Sequence, residues 1–275
     1  MLRTLTAFAC CVVLAGCGGS GSKDEATPSD QPVDGMFEVG DRQLHMTCDG
    51  SGSPTVILEA GLTGDHRTWD PVLSEIASTT RVCAYDRANI GSSEAAPTPR
   101  TVSDMVKDLH ALVGSGELKP PYVLVGFSFG GLVSQLYAST YPDDVAGLVL
   151  VESNHPDEND EFEAELTPAQ IKRDREEARA NPEGVDISAS FEEVQAASGL
   201  PDLPLVVITA GQPAEWPPGW DADVFNRLRA AQQKDLADSV PDGTQVIAEQ
   251  SGHEVPMSEP EIVVKGIENV LAKAD

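Results

Sequence analysis

The chain has 275 residues, 40% hydrophobic and 23% charged, which suits one α/β domain with a small insertion and a large buried core. Its formal net charge is −27, with acids spread along the chain rather than gathered in a tail. A surface that negative repels nucleic acid and anionic lipid headgroups, so no nucleic-acid partner is expected; solubility in a crowded or salty exterior is its simplest use.

At the N-terminus Arg3 precedes an apolar run, Leu5 to Ala15, too short to cross a bilayer as a mature helix. The run leads into Leu14-Ala15-Gly16-Cys17, which resembles the lipobox of bacterial lipoproteins. That resemblance, confined to residues 1–17, implies a signal peptide over 1–16, cleavage before Cys17 and a diacylglycerol on its thiol. Acyl chains on Cys17 would tether the exported protein to the outer face of a bacterial cell membrane. An ordinary secretory signal cut elsewhere is the alternative. Residues 17–36, rich in Gly, Ser, Asp and Pro, read as a flexible tether with a reach of roughly 25 Å, leaving 37–275 as the folded domain.

Beyond the tether, apolar runs alternate with amphipathic stretches. Thr55–Leu58, Arg81–Tyr85, Tyr122–Val125, Gly147–Val151, Leu205–Thr209 and Gln245–Ala248 read as strands. Most are near-continuous Val/Ile/Leu runs, the pattern of parallel strands covered on both faces. Met105, Leu109 and Leu112 recur at helical spacing behind Ser103, a candidate N-cap. Val133, Leu136 and Tyr137 form a second helix that Pro142 stops. A last helix is expected from Ser258, with Glu261 completing a capping box. Such alternation means a mostly parallel sheet with helices on both sides. Residues 153–203 break the rhythm. Thr167-Pro168-Ala169-Gln170 looks like a capping box opening a polar helix, which suggests an inserted helical cap; a surface excursion with no part in substrate choice is the alternative.

The chemistry centres on Gly126-Phe127-Ser128-Phe129-Gly130-Gly131, which follows a strand directly and opens a helix. A strand, a tight turn and a helix in immediate succession lift G-x-S-x-G above a chance match. The turn needs tiny neighbours two residues either side of Ser128, and the helix behind it favours developing negative charge. A serine hydroxyl needs a base. Of the five histidines, His45 reads as a surface strand residue and His110 as a helix residue that packs or faces water, while His66 and His155 follow strands and could line a pocket without catalysing anything. His253 follows the last strand and precedes the last helix, on the same sheet edge as Ser128 and after it in the chain. Two acids fit the order for orienting it. Glu152 comes straight after the strand GLVLV; Glu215 sits in the Pro-rich loop QPAEWPPGW. A rigid strand end favours Glu152. Backbone N–H groups of Leu62, in the Gly-rich loop after TVIL, and of Phe129 are the candidate oxyanion donors.

Together, EAGLTGDHRTW, RVCAYDRANIGSS, GFSFGG, GLVLVESNHPDE and SGHEVPMSEPE, in that order, resemble the α/β-hydrolase superfamily over about residues 40–273. The resemblance implies an eight-stranded, mostly parallel sheet, a nucleophile at Ser128, a histidine at His253 and oxyanion donors at Leu62 and Phe129. It sets the strand of Cys48 beside that of Cys83, which in an oxidising exterior predicts a disulfide; two buried thiols are the alternative. Asp86 and Arg87 match a recurring structural pair. Three departures stand out. Phe127 and Ala60 replace histidines common among relatives, and the usual Gly-x-x-Asp reads Gly211-Gln212-Pro213-Ala214, which again turns attention to Glu152. A serine nucleophile argues against epoxide opening and dehalogenation.

The expected activity is cleavage of a small-molecule or acyl ester through an acyl-enzyme on Ser128. Aminopeptidase or amidase action is the alternative within the class, and a non-catalytic binding lipoprotein the alternative outside it. No cofactor or metal is implied, because no His/Cys/Asp cluster has ligand spacing in the chain.

Overall fold

The computed structural model describes residues 31–274. The signal peptide, Cys17 and the tether up to residue 30 lie outside the described residues. Eight strands run in chain order: β1 (Val33–Val39), β2 (Arg42–Asp49), β3 (Thr55–Glu59), β4 (Val82–Tyr85), β5 (Tyr122–Phe127), β6 (Val145–Val151), β7 (Leu205–Ala210) and β8 (Thr244–Ala248). The helices are α1 (Asp70–Ala77), α2 (Val102–Ser115), α3 (Phe129–Thr140), α4 (Glu158–Ala164), α5 (Pro168–Arg179), α6 (Ile187–Gln195), α7 (Ala222–Asp238), α8 (Val255–Ser258) and α9 (Pro260–Leu271).

The strands form one sheet in the order β1-β2-β4-β3-β5-β6-β7-β8. The β1–β2 and β2–β4 pairs are antiparallel and the rest parallel. Alternation along each central strand feeds two cores. Ile57, Leu124, Leu148 and Val207 pack with residues of α2, α3 and α7. Val56, Val123, Val125, Val149 and Val206 pack with Val72 and Ile76 of α1 and with Val263, Ile267 and Val270 of α9. Both faces of β3, β4 and β5 are therefore fully buried, which is why these strands read as unbroken apolar runs.

The fold differs from expectation at four points. Strand β1 begins at Val33, inside the stretch expected to be tether, and pairs with β2 from Val33↔Cys48 to Val39↔Arg42. As an edge strand it has one partner, and apart from the buried Val39 its inward residues are only half-buried, so Asp34 and Gly35 are tolerated. Helix α2 is capped two residues earlier than Ser103, by a capping box of Thr101 with Asp104. The capping box expected of Ser258 and Glu261 does not form. Ser258 ends α8, Pro260 opens α9, and Glu259 accepts from the Ser251 hydroxyl at 2.6 Å. His45, expected at the surface, is buried.

The disulfide joins Cys48 and Cys83, directly opposite across β2 and β4. Between β6 and β7 lies the insertion. Helices α4 and α5 bury no residue completely, and α5 starts at the expected box of Thr167 and Gln170. Helix α6 instead buries Phe191 and Val194 against the main core, so the insertion leaves the domain and rejoins it.

Candidate active site

Ser128 sits between β5 and α3 with φ 53° and ψ −124°, a conformation unusual for a residue with a side chain. Its neighbours make that turn possible. A Cβ on Gly126 would lie 2.7 Å from the Gly130 carbonyl oxygen, and one on Gly130 would lie 2.6 Å from that of Glu59. The Ser128 N–H donates to Val151 O at 3.0 Å, and its own carbonyl accepts from Gly131 N and Asn154 N. The turn is thus hydrogen-bonded to the end of β6 on one side and to the start of the insertion on the other.

His253, on the loop after β8, reaches this turn. Its Nε2 is 3.0 Å from Ser128 Oγ. The Phe127 ring packs beside the imidazole at 5.0 Å between centroids, at the position where the family resemblance implies histidine. Glu152, just past β6, also has positive φ, at 46°. This backbone turn aims its side chain under the imidazole: Oε2 lies 3.4 Å from His253 Nδ1, and Oε1 accepts from Ala210 N at 2.7 Å. The structure therefore brings together Ser128, His253 and Glu152. Glu215 is exposed at the wall of the cavity that holds Ser128, and no described hydrogen bond joins it to His253.

One residue escaped the sequence reading. Arg229, from α7, donates through Nη2 to Glu152 Oε2 and lies 2.9 Å from His253 Nδ1. Burial pushes the Glu152 carboxyl up, but the facing His253 imidazole, Arg229 and the backbone N–H of Ala210 together hold it below its ordinary value of 4.5. A guanidinium has no lone pair, so its contact with Nδ1 is a hydrogen bond only when Nδ1 is unprotonated. Nothing in NRLRAAQQK marks Arg229; only the packing of α7 against β7 brings it to the acid.

Leu62 and Phe129 line a cavity of about 490 Å³ that also contains Ser128. The loop carrying Leu62 is tied from below by Arg87, which donates to Ala60 O at 2.6 Å and to Gly61 O at 2.7 Å. Arg87 is buried between Glu59 and Glu183, donating to Glu183 at 2.5 and 3.0 Å. Glu183 belongs to the insertion and also accepts from Thr63 N at 2.9 Å. The expected structural role of Arg87 thus extends to the loop itself.

The grouping closest to a metal-ligand set among the described residues is His45, His66 and Asp86, with ligand atoms within 4.8 Å of one another. Distant in sequence, they carry no spacing signal. The Asp86 carboxylate is already engaged: Oδ1 accepts from His66 N and Nδ1 at 2.9 and 2.7 Å, and Oδ2 from Ser92 N at 2.8 Å. It reads as a clasp between the loops after β3 and β4. His155 bonds Asp235 and lines a separate cleft.

The sheet order, the serine turn after β5 and the histidine after β8 are those of one class of protein, the α/β hydrolases. The model of the alpha/beta hydrolase fold matches residues 54–218, and the chain belongs to that family. The chain is 29% identical over 168 residues to the uncharacterized protein YqjL of Bacillus subtilis, covering 60% of this chain and 65% of that one, so the match spans less than two thirds of the relative. Among solved structures, mouse alpha/beta hydrolase domain-containing protein 10 aligns with TM-score 0.68 at 18% identity, over 88% of this chain and all of that one. A thermophilic esterase from Thermogutta terrifontis aligns with TM-score 0.60 at 22% identity, over 89% and 99%. At such identities the likeness is one of fold.

Proposed function

We propose that the chain is a serine hydrolase that cleaves a small-molecule or acyl ester through an acyl-enzyme on Ser128. The observation that carries this reading is the 3.0 Å contact of His253 Nε2 with the hydroxyl of a serine held at positive φ beside an open cavity. In the working tautomer Nδ1 is protonated and donates to Glu152, while Arg229 donates to Glu152 alone. Nε2 then takes the Ser128 proton as Oγ attacks the carbonyl carbon. The carbonyl oxygen gains the electron pair and is met by the N–H groups of Leu62 and Phe129. Its collapse expels the alcohol, protonated by Nε2–H. Water, deprotonated by the same nitrogen, then releases the acid and restores Ser128. Some fold neighbours, an esterase and an enol-lactonase among them, are named for reactions of the same class.

The lipobox-like segment supports placing the protein outside the cell, anchored through Cys17. The disulfide suits that oxidising setting. Among the described residues no helix is long and apolar enough to cross a membrane.

A second reading, an idle triad on a binding lipoprotein, draws on the Arg229 contact. If Arg229 keeps donating to Nδ1, the proton sits on Nε2 and the histidine is not a base toward Ser128. Hydrolysis of p-nitrophenyl esters from acetate to laurate by the full chain and by Ser128→Ala, with fluorophosphonate labelling of Ser128, separates the two. The hydrolase reading expects turnover and labelling that both vanish in the variant. A chain that neither turns over nor labels is the idle scaffold.

A further inference from the structure

The cavity over Ser128 is marked as a substrate site by its nucleophile, and its wall carries an unusual charge. Glu158, Glu163, Asp174, Glu177 and Glu215 all line it, and no Lys, Arg or His is among its lining residues. Two of these acids have cations outside the wall. Arg175 binds Glu163 at 2.6 Å on both oxygens, and Arg173 lies 4.0 Å from Glu177. The remaining three form no salt bridge among the described residues. Glu158 accepts from the neutral amide of Asn154 at 2.6 Å. Burial pushes its carboxyl above its ordinary value, with Arg229 and His253 opposing from the catalytic side. Asp174 is raised likewise, by burial and by Glu177 and Glu163, with Arg173 opposing. Carboxylates crowded in this way lack positive charge, and a cation entering the cavity supplies it.

Aromatic rings share this wall with aliphatic and amide side chains. Phe162, Trp216 and Trp220 line the same cavity. Trp216 and Trp220 stack at 5.9 Å with 10° between planes, and Phe162 meets Trp216 edge-on at 5.4 Å. The indole N–H of Trp216 donates to Asn226 at 3.0 Å, which holds that ring in place. Aromatic surface beside unpaired carboxylates is the chemistry that binds organic ammonium groups, by cation–π attraction and by charge. A fatty acyl chain would need the aromatic part but gains nothing from the acids.

We propose that this cavity selects substrates bearing an organic cation, an ammonium or alkylated ammonium, held between Asp174, Glu158 and the tryptophans while Ser128 attacks the neighbouring carbonyl. The proposal rests on the serine-hydrolase reading and specifies its substrate class. The cation has two possible positions, in the alcohol or in the acyl group.

Two isosteric substrate pairs test it on the full chain. One is choline butyrate and the ester in which carbon replaces its quaternary nitrogen. The other is the p-nitrophenyl ester of trimethylammonio-hexanoate and that of its neutral tert-butyl counterpart. In at least one pair the cationic member should have a kcat/KM about tenfold or more above the neutral one, and the pair that shows it locates the charge. The ratio should fall with added salt and fall several-fold in Asp174→Asn and Glu158→Gln. Independently of turnover, phenyltrimethylammonium should slow fluorophosphonate labelling of Ser128, and tert-butylbenzene should not. Neutral members cleaved as well as or better than cationic ones overturn the cation proposal and leave the hydrolase reading standing, as does labelling that the ammonium ion fails to slow. A Ser128 that neither labels nor turns over any ester removes both.

Discussion

Glu152→Gln isolates the carboxylate charge at nearly constant shape. In the native site Oε1 accepts from Ala210 N, and Oε2 faces Arg229 Nη2 and His253 Nδ1. If the amide oxygen of glutamine stays on Ala210, its NH2 group confronts those two nitrogens. Arg229 can then donate only to Nδ1, already 2.9 Å away, which fixes the histidine proton on Nε2 and removes the base from Ser128. A triad locked in the wrong tautomer loses about 1,000- to 10,000-fold in kcat, equivalent to about 4–5.5 kcal/mol of barrier at 1.36 kcal/mol per decade. If the amide flips instead, the buried N–H of Ala210 faces a donor, which costs about 1–3 kcal/mol of stability. The assay is steady-state ester hydrolysis normalised to the Ser128 titrated by fluorophosphonate, with urea melts alongside. Glu215→Gln serves as the comparison and should keep turnover of a neutral ester within about threefold, because Glu215 is exposed and has no described bond to His253. A Glu152→Gln protein within about tenfold of the parent would refute the reasoning, and so would an equal loss in Glu215→Gln.

Three further outcomes follow from the geometry. Replacing Cys48 and Cys83 by Ala opens a link with a sequence separation of 35 residues. The chain-entropy estimate puts the loss at about 3.8 kcal/mol, or roughly 8–15 °C of melting temperature for a domain of this size, read by calorimetry with and without reductant. Glu183→Gln leaves the buried Arg87 with Glu59 as its remaining charged partner. It should cost about 3 kcal/mol in urea melts and lower kcat by loosening the loop that holds Leu62. The Glu152 carboxyl sits below its ordinary 4.5 in the fold, so the stability it contributes is present above about pH 4.5 and is lost as pH falls through the folded-state value. Melts at about pH 3 and pH 7 should therefore differ less in Glu152→Gln than in the parent, and an unchanged difference would count against the His253, Arg229 and Ala210 contacts as holding that carboxyl ionised.

Much of the frame was legible in the chain because burial on both faces of the central strands writes itself as Val/Ile/Leu runs, and the six strands read from the chain, the more exposed β8 included, fall within a residue or two of β3 to β8. The serine turn was legible because a positive-φ residue between a strand and a helix demands Gly126 and Gly130. The disulfide followed from family topology, which sets β2 beside β4. What stayed hidden depends on packing that leaves no local trace. Strand β1 is an edge strand whose exposed alternate residues resemble a loop. The caps moved because Thr101 and Pro260 offered better starts than Ser103 and Ser258. Arg229 lies 77 residues from Glu152 and 24 from His253, so no spacing pattern links them.

The insertion shows how a polar segment acquires a part in the site. Its helices α4 and α5 bury almost nothing, so packing alone gives little reason for their position. Polar ties hold the segment together with α6, whose Phe191 and Val194 enter the core, and three of those ties bear on the site. Asn154 N bonds the Ser128 carbonyl, Glu183 clasps Arg87 and Thr63 N, and the Arg100 and Gly184 backbones meet at 2.9 Å. Two of these end on the serine turn and on the loop of Leu62, the elements that the proposed chemistry needs to keep in register. A charged wall above the nucleophile is stable only if its framework is anchored apart from the charges that repel one another. The buried Glu183 is paired with Arg87, while Asp174 and Glu158, lining the cavity, form no salt bridge among the described residues.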